Sequence, residues 1–173
     1  MEKYIPDMYQ KSIYTVDYQK LIDRGVKCIL FDLDNTLVPF HVKEANDRIA
    51  GLFNELREKG LKVIIFSNSP KKRVNIFKEA LAVDCLANAK KPSKYGFETI
   101  MNKYKYNITQ IAIVGDQMLT DIVGGNKIGI TTVLVNPVST KDPVWTRPNR
   151  YFERKIMEKL RNHDLFSKGR YYD

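Results

Sequence analysis

The chain has 173 residues, 43% hydrophobic and 28% charged, with 29 Lys and Arg against 20 Asp and Glu for a net charge of +9. That length suits one compact domain burying roughly 70% of its unfolded surface, and two cysteines, Cys28 and Cys85, outside any CxxC pair, exclude a disulfide framework and point to a reducing compartment. Apolar runs such as Cys28–Phe31 and Val63–Phe66 are far shorter than the ~18 residues of a membrane span, and the opening MEKYIPDMYQ lacks a signal-peptide core, so a soluble, cytoplasmic protein is expected.

The first 25 residues are irregular, with a wrapping segment or a short helix around Tyr18–Asp23 expected. Short apolar runs bounded by polar residues then predict strands at Val26–Asp32, Leu61–Phe66, Val83–Leu86, Ile111–Gly115 and Thr131–Val135. Between them Ile49, Leu52, Phe53 and Leu56 recur at helical spacing, as do Phe97, Ile100, Met101 and Tyr104. Ser69-Pro70 reads as an N-cap and first helical proline, opening a helix with Val74, Phe77 and Leu81 inward. Ser93 is a second candidate cap, and Gly124-Gly125 is read as a helix end. Pro137, Pro143 and Pro148 deny residues 136–148 a long regular element. Phe152, Ile156 and Leu160 then outline a basic amphipathic helix, followed by a tail from Arg161 expected to be mobile. Alternating strands and helices predict an α/β fold: a mainly parallel five-stranded sheet with helices on both faces. A single domain, 1–173, is expected, with its core at 26–135 and a basic C-terminal helix and tail at 149–173.

The positive charge is concentrated. Residues 71–105 carry +6, nine Lys and Arg against Glu79, Asp84 and Glu98, and residues 141–173 carry +4. Such patches favour an anionic partner: a phosphorylated substrate, an acidic membrane surface or nucleic acid.

In an open parallel sheet, ligands bind beyond the carboxyl ends of the strands, near the reversal of strand order. There the sequence puts Asp32-Leu33-Asp34-Asn35-Thr36, then Ser67-Asn68-Ser69, then Lys90-Lys91-Pro92, then Gly115-Asp116 with Asp121 one turn on. Asp32, Asp34, Asp116 and Asp121 brought together would repel one another. A hard divalent cation such as magnesium relieves that repulsion and shares its coordination with a phosphate. Ser67 and Lys91 would bind the remaining phosphate oxygens. Asp32 and Asp34, two apart, can lie on one side of the chain, one as a carboxylate nucleophile forming an aspartyl-phosphate, the other moving protons.

These four motifs, in order on the strand ends, resemble those of the haloacid-dehalogenase-like (HAD) phosphatase superfamily over residues 26–135. Gly115-Asp116-Gln117-Met118-Leu119-Thr120-Asp121, Gly124-Gly125-Asn126, Ser67-Asn68-Ser69 and Ala89-Lys90-Lys91-Pro92 resemble, more narrowly, the YqeG group, related to the mitochondrial-type phosphatidylglycerophosphatases. The resemblance implies an HAD-like Rossmannoid three-layer fold and a magnesium-dependent phosphatase. Asp32 would be nucleophile and metal ligand, and Asp34 acid/base with its carbonyl on the metal. Ser67 and Lys91 would hold phosphate, with Lys90 competing for the second role. Asp116 would ligate the metal, and Asp121 would ligate through water or orient Lys91. Thr36 is expected to shape the turn. Asn35 and Asn68 are read as substrate contacts or turn formers. His41 is expected at the surface, and Trp145 is expected to dock the proline-rich segment on the core, with a membrane-interface role as the alternative.

The intervals Leu37–Leu61 and Ser69–Ala89 leave no room for a large cap domain, which suits a phosphate held in a larger body. The leading expectation is hydrolysis of phosphatidylglycerophosphate or a similar anionic lipid, with peripheral contact to an anionic membrane. The alternatives are a nucleotide, nucleic-acid-end or phosphoprotein phosphatase, or an RNA- or ribonucleoprotein-binding protein on the same scaffold, nucleic acid ranking below lipid.

Overall fold

Residues 1–173 are described by a computed structural model, at whose centre the short apolar runs pair as strands. In chain order the elements are β1 (Met8–Gln10), α1 (Tyr18–Asp23), β2 (Cys28–Phe31), α2 (Asp47–Glu58), β3 (Lys62–Phe66), α3 (Lys71–Leu81), β4 (Asp84–Leu86), α4 (Lys94–Tyr104), β5 (Ile111–Gly115), α5 (Val123–Ile128), β6 (Thr131–Val135) and α6 (Arg147–Asn162). The strands form one all-parallel sheet in the order β1-β6-β5-β2-β3-β4. The chain builds outward from β2 through β3 to β4, then crosses back to lay down β5 and β6. Strand order therefore reverses between β2 and β5.

Alternation along the strands divides the core. Ile29, Phe31, Val63 and Ile65 pack with Ile49, Phe53, Val74 and Phe77 of α2 and α3. Cys28, Leu30, Ile64 and Phe66 face the other way, toward Phe97 and Ile100 of α4. The result is three layers with helices on both faces, as expected, but with six strands rather than five. β1 is the addition: three residues of the irregular N-terminal stretch, registered on β6 from Met8 opposite Val133 to Gln10 opposite Val135. So short a segment carries no periodicity of its own, and its partner lies more than a hundred residues away.

Several local expectations are corrected. α3 has Pro70 at its N-cap and no side-chain cap, because the Ser69 hydroxyl is bonded to Asp34 instead. Ser93 occupies the N-cap of α4 without a side-chain bond. Gly124 and Gly125 do not end a helix but lie inside α5, which ends at Gly129 with φ +90°. A Cβ on Gly125 would meet Thr132 Cγ2 at 2.5 Å and Ile113 Cγ2 at 2.9 Å, so Gly125 lets α5 approach the sheet closely, while Gly124 makes room for Phe97 of α4. In α6 the inward line is Glu153, Ile156, Met157 and Leu160, and Phe152 is 57% exposed.

The tail folds back rather than trailing free. Phe166 is buried against the Tyr9 ring, centroids 5.0 Å apart. Tyr9 and Tyr172 exchange backbone hydrogen bonds of 2.8 and 2.9 Å, an antiparallel bridge that covers the outer edge of β1. An uncovered edge strand is a template for association, and the tail removes it. No helix is long and apolar enough to cross a membrane.

Candidate active site

The candidate side chains gather at the carboxyl ends of the strands. Asp32 follows β2, Ser67 follows β3 and Asp116 follows β5, while Lys91 comes from the loop after β4 and Asp121 from the π-helical turn Met118–Ile122. All five are buried. Lys91 Nζ donates to Asp32 Oδ1 at 2.8 Å, to Asp121 Oδ1 at 2.6 Å and to the Phe66 carbonyl at 3.0 Å, engaging all three of its N–H bonds. The Thr36 hydroxyl lies 3.1 Å from Asp32 Oδ2 and 3.0 Å from Asp116 Oδ1, so it does more than shape a turn. Gly115 makes room for this cluster: a Cβ there would fall 2.2 Å from Asp121 Cγ.

Around this centre, Asn68 grips the main chain of Lys91 at both ends, Nδ2 to its carbonyl at 3.0 Å and Oδ1 from its N–H at 2.8 Å. That clamp aims Lys91 inward; Lys90 stays outside, its Nζ 4.7 Å from the Tyr95 ring centroid. Ser67 Oγ accepts from the Ser69 N–H at 3.0 Å, leaving its own O–H free to donate. Asp34 is set apart from the other carboxylates, taking Arg73 Nε at 2.7 Å on Oδ1 and the Ser69 hydroxyl on Oδ2. Asn35 serves the turn, with φ 61° and its Nδ2 bonded to the Lys141 carbonyl and Asp142. His41 is exposed.

Sequence reasoning missed Arg73, Ser69 and, above all, Arg150. From α6, the Arg150 guanidinium bonds Asp116 Oδ2, Asp142 Oδ1 at 3.2 Å and Glu153 Oε2 at 3.0 Å. Glu153 in turn accepts the Leu119 N–H at 3.1 Å, tying α6 to the turn that carries Asp121. One signal was available: Arg150 and Glu153, three apart, share the helix face of Met157 and Leu160. Arg73, one of the nine cations in the basic stretch 71–105, lines the cleft.

The electrostatics suit a cation. Carboxylate oxygens of Asp32, Asp116 and Asp121 lie within 4.8 Å of one another. Burial raises Asp116 well above the ordinary carboxylate range against the opposing pull of Arg150. Burial likewise pushes Asp121 up to about 6, with Lys91 opposing and Asp32 adding to the rise. For Lys91 itself burial works downward, but Asp121 and Asp32 together outweigh it and hold the ammonium above its usual range. Six carboxylates, Asp32, Asp34, Asp116, Asp121, Asp142 and Glu153, meet only three cations, Lys91, Arg73 and Arg150. An all-oxygen donor set with this excess of negative charge fits a hard divalent ion.

The site opens into a cleft of about 510 Å³. Asp32, Ser67 and Lys91, all buried, form its floor, and Asp34, Phe40, Arg73, Pro143, Trp145, Thr146 and Asn149 also line it. Trp145 is 78% exposed and stands edge-on over Phe40, so it does not dock its segment in the core. Hydrogen bonds do that work instead, through Val138 to the Asn35 carbonyl and through Asp142.

A parallel sheet with paired aspartates, a lysine and further carboxylates at its reversal point defines the class of HAD-like hydrolases. The HAD-hydrolase-like family profile matches residues 88–162, from Lys91 through Asp116 and Asp121 to Arg150. Over 158 residues the chain is 39% identical to the probable phosphatase YqeG of Bacillus subtilis (strain 168), covering 91% of this chain and 92% of that protein. It is 31% identical over 145 residues to the chloroplastic phosphatidylglycerophosphate phosphatase 1 of Chlamydomonas reinhardtii, covering 79% of this chain and 54% of that relative. The cobalt-bound deoxy-D-mannose-octulosonate 8-phosphate phosphatase of Haemophilus influenzae shares the fold, with a TM-score of 0.54 at 14% identity over 82% of this chain and 95% of that one. The chain belongs to the HAD-like hydrolases, in the phosphatase group that includes YqeG.

Proposed function

We propose that this HAD-family phosphatase is a magnesium-dependent phosphomonoesterase that works through an aspartyl-phosphate on Asp32, with phosphatidylglycerophosphate or a similar anionic phospholipid as substrate. The observation that carries the reading is the state of Asp32: buried at the cleft floor, lined up by Lys91 and Thr36, and backed by Asp116 and Asp121. Asp32, Asp116 and the Asp34 carbonyl would hold the ion, which when bound offsets the negative charge of the phosphate against that of the carboxylates.

An Asp32 oxygen attacks phosphorus and the bond to the leaving oxygen breaks, its electron pair going to that oxygen. Asp34, which accepts from Arg73 and Ser69 in the resting site, takes up a proton from solvent as the substrate phosphate draws Arg73 away, and delivers that proton to the leaving oxygen. As Asp32 spends its charge in the new bond, a Lys91 N–H is released toward the phosphate oxygens, where the Ser67 hydroxyl also donates. Asp34 then takes a proton from the water that attacks phosphorus, freeing Asp32 and inorganic phosphate. The lipid assignment is supported by the named activity of the Chlamydomonas relative and by a cleft without a cap domain.

Phosphate release from a panel of a lipid phosphate, nucleotides, phosphopeptides and nitrophenyl phosphate, with and without magnesium, tests the reading. The expected result is magnesium-dependent turnover with highest kcat/KM on the lipid. Turnover in chelator by metal-free protein overturns the cation, and preference for a nucleotide overturns the substrate.

A further inference from the structure

The cleft opens beside an apolar rim left mostly in water, its one packing contact with the rest of the fold the edge of Trp145 over Phe40. Val144 and Trp145, on the 3-10 turn Val144–Thr146, are strongly exposed, as are Tyr151 and Phe152 in the first half of α6. Trp145, Asn149 and Phe152 are spaced four and three apart, which lines them along one side of the chain, and the first two are cleft residues. Large apolar side chains left in water around a functional opening mark a contact surface. The charges beside them are of one sign: between residues 144 and 161 the exposed ions are Arg147, Arg154, Lys155, Lys159 and Arg161 against Glu158 alone. At the opening of α3, Lys71 and Lys72 are exposed between Pro70 and Arg73, both cleft residues.

Aromatic rings flanked by Arg and Lys are the composition of a lipid interface, where a ring sits at headgroup level and cations meet phosphates. We infer that this rim is a membrane-docking surface: Val144, Trp145 and Phe152 enter the headgroup region of an anionic bilayer while the flanking cations bind its phosphates, seating the cleft mouth on the surface that holds the substrate. The inference deepens the lipid reading of the cleft and rests on it. Exposed rings and cations together at the mouth of the cleft favour a bilayer as the occupant, and each cation close to such a surface strengthens binding about fivefold.

Trp145 is the single tryptophan of the chain, so its fluorescence reports directly on insertion. The full chain is mixed with phosphatidylcholine vesicles, with and without phosphatidylglycerol. Anionic vesicles are expected to shift Trp145 emission to the blue, bromine on the acyl chains to quench it, and added salt to reverse both. The double substitution Tyr151→Ser, Phe152→Ser is expected to weaken vesicle binding about tenfold, with hydrolysis of nitrophenyl phosphate unchanged because neither residue lines the cleft. Vesicles bound without shift or quenching overturn the inference, since charge alone then accounts for binding. Failure to bind at low salt also overturns it. Insertion without hydrolysis of bilayer-held lipid phosphate supports the docking surface and rejects the substrate, whereas hydrolysis of detergent-dispersed lipid without insertion does the reverse.

Discussion

At the residue scale, Asp32→Asn keeps the size of the side chain but gives an amide, a poor nucleophile. Turnover is expected to fall by at least ~10³-fold with the circular dichroism spectrum unchanged; a folded variant with full activity removes Asp32 from its role. Lys91→Ala should impair both kcat and KM for phosphate esters, while Lys90→Ala, which alters an exposed charge over Tyr95, should leave both near wild type. The same steady-state comparison reversed would transfer the role to Lys90. Arg150 fills five hydrogen bonds on Asp116, Asp142 and Glu153, a planar fork that lysine cannot reproduce. Arg150→Lys should therefore lower kcat by about 10²-fold through misplacement of Asp116 and raise the magnesium needed for half-maximal activity. The aspartates, Ser67 and the lysine pair were legible because motif order tied them to strand ends. Arg150 was not, since its partners lie up to 34 residues away and only packing of α6 brings them together.

At the scale of elements, the strands of the central sheet and the inward faces of α2, α3 and α4 follow from periodicity, because burial on a sheet or helix repeats every two or 3.6 residues. Periodicity fails where contacts are set by neighbours. The glycines show this. Gly51 in α2 has nothing within 4 Å of a Cβ, so Gly51→Ala should stabilise by about 0.5–1 kcal/mol. Gly125→Ala puts the same methyl into Thr132 and Ile113 and should cost about 1–3 kcal/mol. Opposite shifts of the urea midpoint check the pair, and a stabilising Gly125→Ala would refute the close approach of α5. For the tail, Phe166→Ala removes a buried ring against Tyr9 and should cost about 3–5 kcal/mol, with faster proteolysis of residues 163–173.

At the scale of the whole molecule, the surplus of buried carboxylates links the cation to stability. A divalent ion that binds the folded chain alone should raise the melting temperature, by the equivalent of ~2.7 kcal/mol at a hundredfold excess over Kd. Scanning calorimetry with magnesium or chelator checks this, and no shift in a range that supports turnover would count against the cluster as the metal site. By itself the sequence determined the α/β class, the order of the central elements and which strand ends carry the candidate site, because alternating burial and turn residues are local and motif order maps onto parallel strands. Only the tertiary structure decided that β1 joins the sheet, that the tail covers its edge, that Arg73 and Arg150 enter the site and that Trp145 faces outward. Each of those outcomes depends on which distant surfaces are left unpaired once the core has closed, a property of the assembled chain rather than of any window along it.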